Sequence, residues 1–217
     1  DPRLYPTEET SALKEGLADT LKIEATQLVV ASGGDQVIDL LVSNLLREGQ
    51  KMLAVSPTFS MYPRFAVARR IEYVPFDLDS DFTLDSDKVL DAVSSKTEMI
   101  VLCSPNNPTA NQFKKEEVLE LVDGFDGPVL VDEAYAEYGE YSLIGEAAER
   151  ENIIVLRTFS KAYGLAGMRL GYAVTNTRLA QALNERYLPP FPVSGLTLLA
   201  GANALRNRDR VEAAVRG

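Results

Sequence analysis

Residues 153–172 read IIVLRTFSKAYGLAGMRLGY: a β-branched apolar run, Ile153-Ile154-Val155-Leu156, opens into a stretch of hydroxyls, glycines and three separated cations, Arg157, Lys161 and Arg169. Residues 153–156 predict a short buried strand, and 170–174 predict another. Hydroxyls and glycines flank Lys161, and Arg169 follows eight residues later. That is not the pattern of a solvated charge run. Working outward, strands are expected at 28–31, 52–55, 71–76, 99–103 and 129–131, with amphipathic helices at 35–46, 115–122 and 178–187. Strand–helix alternation of this kind predicts a mostly parallel sheet covered by helices, which binds ligands at the carboxyl ends of its strands.

Composition narrows the chemistry. The chain has 217 residues and no histidine, so a Ser-His-Asp or Cys-His pair and imidazole metal ligation are excluded within it. Cys103 is the only cysteine, which leaves no internal disulfide, CxxC pair or zinc knuckle and points to a reducing, cytoplasmic compartment. Lys and Arg number 22 against 32 Asp and Glu, a net charge of −10 that disfavours nucleic-acid binding. No apolar run approaches a membrane span, no signal peptide is expected, and GxxxxGK[ST] is missing.

Each expected strand end carries a distinctive string. Ser32-Gly33-Gly34-Asp35 follows the first; its glycines allow close backbone approach, and the helix after it offers free N–H groups to an anion. The same string is also a plain capped turn. Ser56-Pro57-Thr58-Phe59, with Tyr62 following, supplies an aromatic that could cover a flat ring or pack in the core. Ser104-Pro105-Asn106-Asn107-Pro108-Thr109-Ala110 is a rigid turn. Asp132-Glu133-Ala134-Tyr135 places a carboxylate where burial requires a cationic partner.

Taken in order, SGGD, SPTF, SPNNPT, DEAY and SKAYGLAGMRLGY resemble the fold type I pyridoxal-phosphate aminotransferases, and within them the histidinol-phosphate aminotransferase group. The resemblance runs from Tyr5 to about Val193. It implies an α/β fold, a three-layer α/β/α large domain with a mostly parallel, seven-stranded sheet, and pyridoxal 5′-phosphate as cofactor. By resemblance, Lys161 bonds the cofactor aldehyde and shuttles the substrate proton, while Asp132 faces the pyridine nitrogen. Tyr135 and Asn107 hydrogen-bond the ring's phenolic oxygen, and Phe59 stacks on the ring. The phosphate is implied to rest on the N–H groups of Gly34, Asp35 and Gln36, with Thr158, Ser160 and Arg169 completing the cup. Tyr5 matches a tyrosine that reaches the phosphate of the neighbouring subunit, which implies a homodimer.

The resemblance further implies transfer of an amino group between an amino-acid or amino-phosphate substrate, histidinol phosphate first, and 2-oxoglutarate. Rival activities on the same scaffold are an aromatic or broad-range aminotransferase, threonine-phosphate decarboxylation, and a non-catalytic cofactor-binding regulator. Ala110 stands where the family often has glycine, and Gln36 where it often has an acid. Residues 1–203 are expected to form the cofactor-binding large domain, with some amino-terminal residues lacking. Residues 204–217 are expected to begin a helix leading to a small domain outside this sequence, which holds the arginine that grips the substrate carboxylate.

Overall fold

The computed structural model describes residues 3–217. Among these, seven strands form one sheet: β1 (Leu28–Ala31), β2 (Lys51–Ser56), β3 (Glu72–Asp77), β4 (Thr97–Cys103), β5 (Val129–Asp132), β6 (Ile153–Thr158) and β7 (Gly171–Val174), in spatial order β1-β7-β6-β5-β4-β2-β3. β7 runs antiparallel to both its neighbours, β1 and β6, and every other pairing is parallel. The expected mostly parallel sheet is therefore present.

Alternation along each strand divides the core in two. Ile100, Leu102, Val129, Val131, Ile153 and Val155 face one side, together with residues of α1 (Thr7–Leu21), α5 (Lys115–Gly124), α6 (Ile144–Glu149) and α8 (Gly195–Arg206). Met99, Val101, Cys103, Leu130, Ile154 and Leu156 face the other, with α2 (Gly34–Leu45), α3 (Tyr62–Ala68) and α7 (Thr177–Ala182). Helices thus cover both faces, giving the three layers. A strand buried on both faces needs no polar alternation, which is why β1, β5 and β7 are apolar and buried nearly throughout. β3 is the edge strand beside β2; its Pro75 has no N–H to give, and an edge tolerates that loss.

Several elements depart from the sequence reading. The helix expected over 178–187 is α7 followed by a wider π-type turn at Leu183–Tyr187. The helix expected to begin within 204–217 is preceded by α8, which starts at Gly195, where the Ser194 hydroxyl accepts the Thr197 N–H at 3.2 Å; α8 breaks at Asn207 before α9 (Arg208–Arg216). α1, α3, α4 (Ser86–Asp91) and α6 were not expected.

Candidate active site

Because the other six strands share a direction, the carboxyl ends of β1, β2, β4, β5 and β6 lie along one edge, and antiparallel β7 starts there. Strand parity then decides which side chains meet. Asp132 continues the Leu130 face and Thr158 the Leu156 face, so both point to the layer of α2 and α3. Arg157 takes the opposite parity. It lies half-buried on the far face between Glu133 (3.1 Å) and Glu137 (3.0 Å). A cavity of about 580 Å³ opens there, and none of the residues expected to bind the cofactor lines it.

Asp132 is 3% exposed. Its Oδ2 accepts the Tyr62 hydroxyl at 2.8 Å, and its Oδ1 accepts the Ala134 N–H at 3.0 Å. Burial pushes the carboxyl up from 3.8 to about 6; the Tyr62 and Ala134 bonds pull it back, Asp35 raises it and Lys161 lowers it. No lysine or arginine forms an ion pair with Asp132 among the described residues. Burial, and then the charge of Asp132, lift the Tyr62 phenol well above its ordinary value. The neighbouring Cys103 thiol is pushed up to about 12, first by burial. It is a neutral wall rather than a nucleophile.

The amino terminus of α2 lies at the same edge. Gly33 occupies the N-cap position at φ +85 with no side-chain cap, so the N–H groups of the first turn, Gly34, Asp35 and Gln36, lack intrahelical acceptors. Arg169 Nη2 donates to Asp35 Oδ2 at 3.1 Å, and its Nη1 donates to Ala166 O at 3.1 Å. A Cβ on Gly33 would meet that guanidinium at 2.7 Å. On Gly171 a Cβ would meet the Gly34 nitrogen at 2.6 Å, so only glycine there lets β7 approach the helix start this closely. An uncapped helix start beside a guanidinium fork has the kind of donors that an anion takes.

The remaining expected residues are placed as follows. Lys161 is an exposed residue whose Nζ stands 5.1 Å from the centre of the Tyr135 ring. The Thr158 hydroxyl donates to Leu170 O at 3.3 Å and accepts the Ser160 N–H at 3.1 Å, which folds the loop back toward β7. Gln36 turns its side-chain oxygen to its own loop, accepting the Ser32 N–H at 2.6 Å. Phe59 packs edge-on against Tyr62, with centroids 5.6 Å apart. Asn107 is half-buried, and its side-chain amide has no partner among the described residues. Tyr5 is 75% exposed and stacks on Phe191 at 4.6 Å, and no contact joins it to the others.

Two residues gain roles that the sequence reading did not give them. Asn106, the buried residue just before Asn107 in the chain, donates to Pro57 O at 2.9 Å and to the Thr109 hydroxyl at 2.7 Å, and it accepts the Thr58 hydroxyl at 3.2 Å. It ties the loops after β2 and β4 together. Tyr62 is the only side chain hydrogen-bonded to Asp132 among the described residues. A buried tyrosine hydroxyl needs a partner, and that requirement was the available signal.

No cluster of groups able to hold a metal ion occurs among the described residues, and no helix of theirs is long and apolar enough to cross a membrane. The family model described as aminotransferase class I and II matches residues 3–216. Histidinol-phosphate aminotransferase of Methanocaldococcus jannaschii is 36% identical over 217 residues, which cover 98% of this chain and 58% of that protein. The enzyme of the same name from Pyrococcus furiosus is 36% identical over 208 residues, covering 96% of this chain and 60% of its own length. A crystal structure of histidinol-phosphate aminotransferase from Sinorhizobium meliloti in complex with pyridoxal-5′-phosphate superposes with a TM-score of 0.92 at 25% identity, over 99% of this chain and 60% of that one. The chain thus spans about three fifths of the length of these relatives. With its sheet order, strand-end motifs and a match over nearly all of its length, the chain belongs to the class I and II aminotransferase family.

Proposed function

We propose that this chain holds pyridoxal 5′-phosphate at the strand-end site and serves the transfer of an amino group between histidinol phosphate and 2-oxoglutarate, a step of histidine biosynthesis. The observation that carries this reading is Asp132: a buried carboxylate satisfied only by neutral donors, from Tyr62 and Ala134. Burying such a charge is costly unless a cation joins it, and a protonated ring nitrogen supplies that cation. The other residues fit the same group. The bare first turn of α2 and the Arg169 fork suit a phosphate, the half-buried Phe59 suits a ring face, and Asn107 and Tyr135 suit a phenolic oxygen. The names of the relatives support the choice of substrate.

When bound, the cofactor supplies an electron-withdrawing ring that stabilises negative charge at the substrate α-carbon. Asp132 would supply a negative charge to the nitrogen of that ring. Lys161 would hold the cofactor covalently between turnovers; once the substrate amine has displaced it, the freed Nζ would take the α-proton and return it. Arg169 and the α2 N–H groups fix the phosphate, so that Lys161 meets the substrate at a set distance. The reading includes a homodimer in which Tyr5 reaches the neighbouring subunit's phosphate, supported by the exposure of Tyr5. It also includes a cytoplasmic setting, supported by the single, buried thiol. The division into a cofactor-binding unit, 1–203, and a segment, 204–217, leading to a second unit belongs to the same proposal; α9, which has no buried residue, supports it.

Borohydride reduction of the loaded protein, followed by peptide mapping, is expected to label Lys161. A label on another lysine would overturn the site. Spectral changes on mixing with histidinol phosphate, phenylalanine or threonine phosphate test the substrate. The first is expected to react fastest, whereas carbon dioxide released from threonine phosphate alone would overturn the transamination.

A further inference from the structure

We infer that Tyr62 is a positioning residue of this site: its hydroxyl keeps the Asp132 carboxylate ionised and fixed, ready for a cationic ring nitrogen. The role presupposes the proposed cofactor, but the hydrogen bond itself does not. The two residues lie 70 positions apart and meet at 2.8 Å, with Tyr62 fully buried at the start of α3. Phe59 holds the Tyr62 ring from the side at an interplanar angle of 84°. With the phenol held well above its ordinary range, Tyr62 stays a neutral donor at every working pH.

That neutrality matters. A lysine or arginine in place of Tyr62 would also ionise Asp132, but it would cancel the charge that a ring cation needs to find there. A hydroxyl lowers the cost of the anion and leaves its charge unspent. The other groups acting on Asp132 are the Cys103 thiol from β4, Asp35 from α2, Lys161 from the loop after β6, and the Ala134 N–H. Asp35 opposes ionisation, and Lys161, beyond direct bonding, favours it. Tyr62 is therefore the side-chain donor on which the charge depends.

The test is a carboxyl-carbon NMR titration of the cofactor-free protein, with the Asp132 signal assigned by its loss in Asp132→Asn. Tyr62→Phe is expected to move the Asp132 midpoint upward by about one pH unit, a tenfold change in its acid constant. Fluorotyrosine at position 62, a stronger donor, is expected to move it downward. Coincident midpoints in the three proteins would overturn the proposal, as would a downward shift in Tyr62→Phe. Should Tyr62→Phe fail to fold, the fluorotyrosine shift decides alone. In the loaded protein, the pH midpoint of the cofactor's visible band is expected to move in Tyr62→Phe, which a merely space-filling tyrosine would not cause. Failure of the wild-type protein to take up pyridoxal phosphate would count against the proposed function, and the carboxylate titration would still decide the role of Tyr62.

Discussion

Asp132 shows how one side chain can oppose folding and serve chemistry. Its carboxyl is raised from 3.8 to about 6, so between those values the folded chain binds more protons than the unfolded one, and stability falls as pH rises. Asp132→Asn removes that loss. Urea unfolding of the cofactor-free variant is expected to show a gain of up to about 3 kcal/mol near pH 8 and none near pH 3. Turnover of the loaded variant is expected to drop roughly a hundredfold or more, because the charge behind the ring is gone. Arg169 is the converse case. Its pairing with Asp35 is half-exposed, so Arg169→Lys is expected to change stability by less than about 1 kcal/mol. It should nevertheless weaken cofactor affinity about tenfold in a fluorescence titration, since an ammonium cannot grip two phosphate oxygens in one plane. Side-chain types at strand ends were legible from the sequence. The pairings of Tyr62 with Asp132 and of Asn106 with Pro57 were not, because each joins segments far apart in the chain.

Strands were the most legible elements. All seven lie within two residues of their expected ends, because a run buried on both faces is apolar whatever its neighbours. Helices were less so. α1 buries only Leu13, Leu17 and Ala18 of its 15 residues and ends at Lys22 in a left-handed conformation rather than at a glycine, so both its stripe and its stop signal are faint. α3, α4 and α6, of six or seven residues, are too short for periodicity to speak. The contact between α2 and β7 depends on Gly171. Gly171→Ala is expected to push the helix start away, costing about 1–3 kcal/mol in thermal or urea unfolding and weakening phosphate binding more than any change in α5 would.

For the molecule as a whole, the proposed division predicts behaviour for the 217 residues alone. They are expected to bind pyridoxal phosphate yet transaminate slowly, with activity rising when the sequence is extended to the full length of its relatives; spectral titration and a coupled glutamate assay measure the two separately. The sheet order has a temporal side as well. Of the seven strands described, β1 is made first, yet its only neighbour among them is β7, made seventh. As the protein leaves the ribosome, Leu28-Val29-Val30-Ala31 has no strand to join until Gly171–Val174 emerges, well over a hundred residues later. Asp35 likewise waits for Arg169, 134 residues on. Of the contacts in this sheet, those that bring the first turn of α2 to Arg169 thus form late, and uptake of a phosphorylated ligand by a nascent chain would mark the moment at which β1 and β7 have met.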